Sequence, residues 1–401
     1  MTKRLLGLTF LVWLLPPAVC GLQYSAYATP YSQFLKGVTY NTGWHITYAK
    51  PESHEALREL AETGANWVAL IVSWYQKDLT DSAFAPDVNR TATDSSVIHA
   101  IGTIHGLGIR VMLKPHINMV EEGQSRTHIA PLNPKAWFDN YRTFIIHYAQ
   151  LAEAQGVQMF CVGTELPTMT ASAYTQNWLG MINEVRQVFS QEVTYAVTQL
   201  SWDSKATPSG NTFEEIGFYD ALDYVGFDAY PHLTDKKDPT VSELKEAWQR
   251  VVAEIETRQK ATGKKVIFTE VGFRDVDGTN IGPRSDGTSK QDEQEQADCY
   301  QATFETLWGK PWLQGIFWWV WRPFHKGEPR YWDLWGKLAE KVVRTWYSKP
   351  YVPQETPAEA VSALVVIQEA EAAIAKAMRE ERTRGLDQAR RLLSQAVEAY
   401  N

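Results

Sequence analysis

The sequence is poor in cysteine, and no cysteine lies in a metal-binding spacing. Three cysteines occur among 401 residues, and the chain contains neither a CxxC pair nor an HExxH run. Those two patterns place ligands at the separations that metal sites need. The sequence therefore gives no support for a metal ion or any other cofactor. Cys161 falls on a predicted strand and Cys299 on a predicted helix, and a disulfide between them is left open.

The sequence also lacks a concentrated basic stripe and a membrane-spanning apolar run. It has 39 Lys and Arg residues against 47 Asp and Glu residues, for a formal net charge of −8. This balance argues against nucleic acid as a partner. The apolar stretch at residues 5–15 is too short to cross a bilayer as a mature anchor.

That apolar stretch is typical of a secretory signal peptide. Two basic residues precede it and two prolines follow it. We expect a signal over residues 1–28, cleaved after Cys20 or Ala28, with lipidation of Cys20 as the alternative. The sequence thus predicts an exported protein, periplasmic or extracellular, or else anchored as a lipoprotein. No transmembrane span is expected after signal removal.

Between residues 35 and 347, apolar runs typical of strands alternate with helix-like stretches. The predicted strands are 35–40, 67–74, 109–115, 157–165, 193–199, 222–230, 265–270 and 313–321. The predicted helices are 54–63, 95–105, 137–155, 174–189, 241–260 and 292–308, and glycines at 64, 156 and 263 follow three of them. Most of the strands are almost continuously apolar, as are parallel strands covered on both faces.

Eight β/α units predict an α/β fold, a (β/α)8 TIM barrel. The competing interpretation is an open doubly wound sheet, and the absence of a GxGxxG run in the first unit weakens it. We divide the chain into a signal at 1–28, a barrel at 29–349, and a Pro-rich linker with a C-terminal helical hairpin at 350–401. The hairpin either packs on the barrel, which is the favoured interpretation, or pairs with another chain or holds the protein near a surface.

Two glutamates, Glu165 and Glu270, each end a predicted buried strand. A charged group there is costly unless a partner or a task retains it. The two strands are the fourth and the seventh, so their ends can face one central cleft. Glycoside hydrolysis uses such a pair, with carboxyl groups about 5–5.5 Å apart for retention and about 6.5–9.5 Å apart for inversion. The alternative is that each glutamate only anchors a loop.

Other polar and aromatic residues fall at the same strand ends, where barrel enzymes form their active sites. They are Trp74, Lys114, His116, Thr164, Asp228, Tyr230, Trp319 and Trp321. Alternation along a strand predicts that the pairs 114 and 116, 228 and 230, and 319 and 321 each share a face. Trp74 and Trp202 are expected to be loop contacts to substrate, and Trp319 and Trp321 to be stacking platforms for sugar rings.

Several motifs, in order, carry a family resemblance. They are GVTYNTGW, VMLKPHI, WFDNYRTFIIHYAQLA, FCVGTEL, LDYVGFDAYPHL, VIFTEVGF, GIFWWVW and GKLAEKVVRTWY. Over about residues 35–347 the chain resembles glycoside hydrolase family 113. This is a clan A family of retaining TIM-barrel enzymes known for endo-β-1,4-mannanase activity.

The resemblance implies a role for each site residue. Glu165 would be the acid/base and Glu270 the nucleophile of a double displacement, and Tyr230 would hydrogen-bond the nucleophile. The remaining implied substrate contacts are Lys114, His116, Arg126 and the tryptophans of the eighth strand. The substrate would be an oligo- or polysaccharide.

Thr164 leaves the sugar open. Most clan A enzymes have Asn directly before the acid/base glutamate, where it contacts the sugar 2-OH, and a threonine hydroxyl lacks the two amide donors. The main expectation is cleavage of β-1,4-mannan or manno-oligosaccharides. The alternatives are another β-linked hexoside such as a β-glucoside, exo-action on short oligosaccharides, and a non-catalytic carbohydrate-binding barrel. The oligomeric state is not predicted.

Overall fold

The structure is a computed structural model. It describes residues 33–42, 45–198, 213, 216–283, 289–354, 365 and 368–376. The predicted signal peptide, at 1–28, lies outside the described residues.

Eight parallel strands form a closed barrel. They are β1 (Leu35–Tyr40), β2 (Trp67–Gln76), β4 (Arg110–Met119), β5 (Met159–Thr164), β6 (Glu192–Thr198), β7 (Tyr224–Ala229), β8 (Val266–Val271) and β9 (Leu313–Trp321). Strand β1 pairs with both β2 and β9, which closes the sheet. The two-residue strand β3 (Phe84–Ala85) pairs antiparallel with the end of β2. The TIM-barrel prediction is confirmed, and the open-sheet alternative is wrong.

The predicted helices are present, with one addition. They are α1 (Pro51–Ala61), α2 (Asp94–Gly106), α3 (Pro134–Ala154), α4 (Thr175–Val188), α5 (Val241–Thr262) and α6 (Glu293–Leu307). Helix α7 (Leu338–Tyr347) was not among the predicted helices. The glycines after α1, α3 and α5 have φ values of +86°, +64° and +66°, the left-handed geometry that glycine adopts at little cost.

Two apolar layers surround the strands. Inside the barrel, Trp67, Met112, Met159, Ile267 and Phe317 belong to one buried cluster that fills the lumen. The larger cluster outside joins the sheet to the helices. Polar side chains such as Lys114 and Asp228 lie further along the strands, toward their carboxyl ends, and this places the candidate site there.

The described part of the C-terminal segment contacts the barrel through Tyr351, whose hydroxyl donates to the Leu313 carbonyl of β9 at 3.1 Å. Residues 368–376 are helical. The side chain of Gln368 accepts from the Tyr351 amide at 2.7 Å and donates to the Tyr351 carbonyl at 2.8 Å. Residues 377–401 lie outside the described residues, so the hairpin and the division into domains stay predictions. Within the described ranges, no helix is long and apolar enough to cross a membrane. Cys161 and Cys299 are both buried and free, so they form no disulfide with each other.

Candidate active site

Glu165 follows the last residue of β5 in an unusual backbone conformation. Its φ is +52°, a region that residues other than glycine, asparagine and aspartate rarely adopt. Its amide donates to the Ala196 carbonyl of β6 at 2.9 Å, and the register between β5 and β6 shifts between Cys161 and Thr164. Such backbone strain persists where surrounding structure imposes it, commonly at functional sites. The side chain is largely buried.

Glu270 also sits at a register irregularity. Strands β7 and β8 slip by one residue between Phe227 and Asp228, so that Asp228 pairs with Glu270. Strict alternation from Ile267, which points into the barrel, would turn residue 269 inward and residue 270 outward. The bulge brings both inward. The Thr269 hydroxyl and the Glu270 carboxylate therefore reach the same polar cluster.

Both oxygens of Glu270 are held. Its Oε1 accepts from Lys114 Nζ at 2.6 Å, and its Oε2 accepts from the Tyr230 hydroxyl at 2.7 Å. His116 Nε2 lies 3.8 Å from Oε1. Hydrogen bonds to a charged carboxylate favour its ionised form and fix its direction. The structure thus brings Lys114, His116 and Tyr230 together around Glu270.

Lys114 and Asp228 form a fully buried ion pair below the cleft. Lys114 Nζ donates to Asp228 Oδ1 at 2.9 Å and to Oδ2 at 3.2 Å, and neither side chain is exposed. Burial alone would lower the pKa of Lys114, but the charges of Asp228 and Glu270 outweigh burial and raise it. Burial and the charge of Glu270 raise the pKa of Asp228 to about 7, against the opposing charge of Lys114.

This placement corrects the expectation that Lys114 and Asp228 contact substrate. All the described hydrogen bonds of the Lys114 ammonium group go to carboxylates, and the Asp228 carboxylate also accepts from the Thr269 hydroxyl at 2.7 Å. Neither side chain has surface facing the cleft. Alternation predicted that Lys114 shares a face with His116 and Asp228 with Tyr230, which agrees with their common position around Glu270, but it did not predict how deep Lys114 and Asp228 lie.

Arg126 lies beside Glu165. Its Nε is 3.4 Å from Glu165 Oε2, and its Nη1 donates to the Ile117 carbonyl at 3.2 Å and to Asn118 Oδ1 at 2.8 Å. Those two acceptors on β4 fix the guanidinium group where a cleft ligand can meet its remaining N–H groups. The structure therefore places Arg126 next to the acid/base candidate, and its contact with substrate stays a prediction.

His116 presents a neutral imidazole to the cleft. Burial, reinforced by the charges of Arg126 and Lys114, lowers the pKa of His116 well below its ordinary value. Its Nε2 has no hydrogen-bond partner among the residues that the structure describes. A buried polar atom without a partner is costly, so this nitrogen would gain from a hydrogen bond to a ligand that reaches it, although almost none of its surface is open to the cleft.

Two aromatic rings border the nucleophile candidate, and one of them was not predicted. Trp319 is partly exposed, and its ring runs parallel to that of His116 at a centroid distance of 6.4 Å. The unpredicted ring is Trp332, whose plane meets Tyr230 edge-on at 5.1 Å and which packs with Trp319. Its position in an aromatic loop after the last strand was the available signal.

Trp321 and Trp74 do not line the cleft, which corrects both predictions. The register between β1 and β9 shifts before Trp321, and this ends the alternation from Trp319. Trp321 is therefore fully buried in the outer core, stacked on Trp335 at 5.1 Å. Trp74 packs outside the barrel against α3, where its Nε1 donates to the Tyr148 hydroxyl at 3.1 Å.

Two other predicted contacts have different outcomes. Trp202 lies outside the described residues. Thr164 is buried, and its Oγ1 lies 3.8 Å from the Cys161 sulfur, inside the barrel. A hydroxyl in that position does not occupy the place of a long amide side chain reaching into the cleft.

The cleft therefore holds two buried carboxylates in different surroundings. Glu270 is fixed by a cation and a phenol, whereas Glu165 faces an arginine and slight solvent exposure. Unequal environments are what distinguish the acid/base from the nucleophile in a carboxylate pair. Across the described ranges, no three His, Cys, Asp or Glu side chains come together in a way that could hold a metal ion.

Solved structures of mannanases resemble this barrel along almost their whole length. One, described as a GH113 beta-1,4-mannanase complex, is 26% identical with a TM-score of 0.69, covering 79% of this chain and 99% of its own. The GH113 beta-mannanase AaManA from Alicyclobacillus acidocaldarius, in complex with ManMIm, is 27% identical with a TM-score of 0.68, covering 79% and 97%.

More distant structures share the fold alone. A beta-glucuronidase from Faecalibacterium prausnitzii is 13% identical with a TM-score of 0.52, covering 80% of this chain and 50% of its own. The comparison with curated protein sequences found no match. The model of Glycoside Hydrolase Family 113 matches residues 38–331, most of the barrel and both glutamates. The chain belongs to glycoside hydrolase family 113.

Proposed function

We propose that the protein hydrolyses β-1,4-linked mannan or manno-oligosaccharides with retention of anomeric configuration. The observation that carries this proposal is the unequal pair of buried carboxylates at the ends of β5 and β8. The mannanase structures at 25–27% identity, which the chain matches over 97–99% of their length, support the choice of sugar.

In the first step, Glu270 attacks the anomeric carbon and forms a glycosyl ester. Glu165 gives its proton to the departing glycosidic oxygen as the C–O bond breaks. The hydrogen bonds from Lys114 and Tyr230 fix the direction of the Glu270 carboxylate. Because these donors are already in place, little reorganisation is needed when charge moves from the carboxylate to the sugar.

In the second step, water replaces the enzyme at the anomeric carbon. Glu165, now ionised, takes a proton from the water, and the ester bond to Glu270 breaks. Arg126 Nε, 3.4 Å from Glu165, favours the charged form that this step requires. Two inversions give net retention, and both glutamates return to their starting protonation states.

Sugar recognition then falls to groups that remain available in the cleft. His116 Nε2 can donate to or accept from a substrate hydroxyl, the N–H groups of Arg126 can donate to one, and the Trp319 face can stack on a sugar ring. A neutral His116 both accepts and donates, which suits a hydroxyl better than an anionic group.

Two variants test the assignment of roles. Glu270→Gln is expected to lose turnover on all substrates because no nucleophile remains. Glu165→Gln is expected to lose turnover on mannan but to keep the first step on aryl mannosides with acidic phenols, whose departure needs no proton. Equal losses on both substrates in Glu165→Gln, or full activity in either variant, would contradict the roles.

A panel of β-linked polysaccharides tests the sugar. We expect release of short manno-oligosaccharides from β-1,4-mannan and little product from β-glucans. Preferential cleavage of a β-glucoside would move the substrate to the second candidate. Binding without cleavage across the panel would instead support a carbohydrate-binding barrel.

Export completes the proposal. We infer from residues 1–28 that the enzyme acts outside the cytoplasm, on polymers that do not enter it. Fractionation of cells expressing the full chain, with N-terminal sequencing of the product, tests this. Retention of residues 1–28 in a cytoplasmic fraction would contradict it.

A further inference from the structure

Lys114 carries one positive charge for two carboxylates. Its Nζ lies 2.6 Å from Glu270 Oε1 and 2.9 Å from Asp228 Oδ1. The three side chains are 0–3% exposed. When both acids are ionised, the cluster has a net charge of −1 away from water, which is an expensive arrangement unless it serves a purpose.

Asp228 has no route to the substrate of its own. Its Oδ1 accepts from Thr269 Oγ1 at 2.7 Å as well as from Lys114, and Lys114 also reaches Oδ2 at 3.2 Å. The side chain has no exposed surface. Any influence of Asp228 on the reaction must therefore pass through the Lys114 ammonium group or through its own charge.

We propose that Asp228 is a positioning residue that divides the charge of Lys114 between two carboxylates and so sets how completely the nucleophile is neutralised. This inference rests on the proposed function, because it takes Glu270 as the nucleophile. An ionised Asp228 draws the ammonium charge away from Glu270 and leaves that carboxylate more reactive. A protonated Asp228 leaves Lys114 wholly to Glu270, which lowers its nucleophilicity.

The surroundings of Asp228 make this division sensitive to pH. The titratable and hydrogen-bonding groups that act on it are Lys114, Cys161, Glu165, Tyr195, Tyr230, Thr269 and Glu270. Burial and the charge of Glu270 raise the pKa of Asp228 to about 7, although Lys114 opposes the rise. The protonated form thus gains population as the pH falls through the neutral range.

Asp228→Asn tests the division of charge with little change in shape. The wild-type profile of kcat against pH is expected to show an inflection near neutral pH. The variant should lack that inflection, and its kcat should match that of the wild type at pH 5–6. At pH 8 its kcat should be about tenfold lower than that of the wild type, because an interaction that changes a pKa by one unit corresponds to a factor of ten. Asp223→Asn is the matched control, since Asp223 pairs with Arg186 at 2.7 Å next to the opposite end of β7.

Two further variants keep the proposal testable if Asp228→Asn does not fold. Lys114→Met removes the cation from Glu270 and should shift the acid limb of kcat/KM upward by about 1–3 pH units. Thr269→Val removes one hydrogen bond to the ionised form of Asp228 and should move the neutral inflection upward. An acid limb that stays in place in Lys114→Met would overturn the proposal.

Carboxyl-carbon NMR separates this proposal from the proposed function. In the full chain labelled with ¹³C at Asp and Glu carboxyl groups, one signal should titrate near neutral pH and be absent from Asp228→Asn. In that variant, recorded at pH 8, the Glu270 signal should differ from the wild-type signal. If the first signal is lost and the Glu270 signal changes in a protein that cleaves no mannan, the sugar assignment fails and the charge division stands. If the Glu270 signal is the same in both proteins, the charge division fails whatever the activity.

Discussion

Tyr230→Phe isolates the hydrogen bond that orients the nucleophile. The Tyr230 hydroxyl donates to Glu270 Oε2 at 2.7 Å inside a buried site. A hydrogen bond to a charged group contributes about 1.5–3 kcal/mol. Since about 1.4 kcal/mol corresponds to a factor of ten in rate, the loss amounts to roughly 10–150-fold in kcat if the whole bond acts in the transition state. Mannan hydrolysis, followed by reducing-end release, measures it.

The same strand provides a matched control. Tyr224, at the other end of β7, donates to Glu192 Oε1 at the same distance of 2.7 Å. Tyr224→Phe removes an equivalent phenol–carboxylate bond away from the cleft, so it should affect stability and leave kcat within about twofold. If Tyr230→Phe also keeps kcat within that range, the bond to Glu270 does not orient the nucleophile and the reasoning is wrong.

Three other predictions concern the cleft and the loops around it. Gly272→Ala would place a Cβ 2.6 Å from the Trp319 carbonyl, so it should displace that tryptophan and raise KM for oligosaccharides; an unchanged KM would remove Trp319 from the binding site. The buried His116 stays neutral, whereas the same histidine in the unfolded chain takes up a proton near pH 6.5, so the free energy of unfolding falls as the pH drops below that value. His116→Gln should reduce the slope of this fall by up to about 1.4 kcal/mol per pH unit, measured by urea titrations at several pH values. Lys337→Met removes the cation that pairs with the Asp275 carboxylate at 2.9 Å, where both side chains are fully buried. The variant should lose about 3–5 kcal/mol of unfolding free energy. A loss below about 1 kcal/mol, measured by chemical denaturation, would contradict this.

The strands and most helices could be predicted because their patterns are strong. Near-continuous apolar runs separated by amphipathic stretches leave few alternatives to a parallel barrel. Helix α7 (Leu338–Tyr347) was missed because it follows a long irregular loop. Its apolar positions, which include Ala339 and Val343, pack only once the barrel places them against α6.

The sequence predicted which residues lie at the site better than it predicted how deeply each side chain is buried. Period-two alternation predicted that Lys114 shares a face with His116 and Asp228 with Tyr230, but how far a side chain lies below the cleft depends on the stagger of neighbouring strands. The prediction that Trp321 faces the cleft was wrong because the register between β1 and β9 shifts before it, and a shift of one residue moves a side chain to the opposite face. The pairing of Asp228 with Lys114 could not be predicted, since it joins residues 114 positions apart.

The stereochemistry of the first product tests the central claim most directly. Purified protein would be mixed with a β-1,4-manno-oligosaccharide, and the anomeric protons would be followed by ¹H NMR before mutarotation. The β-anomer is expected to appear first, because two displacements at the anomeric carbon, with Glu270 as the nucleophile, restore the starting configuration. Initial release of the α-anomer would contradict the nucleophilic role of Glu270, and the absence of any product would contradict the proposed substrate.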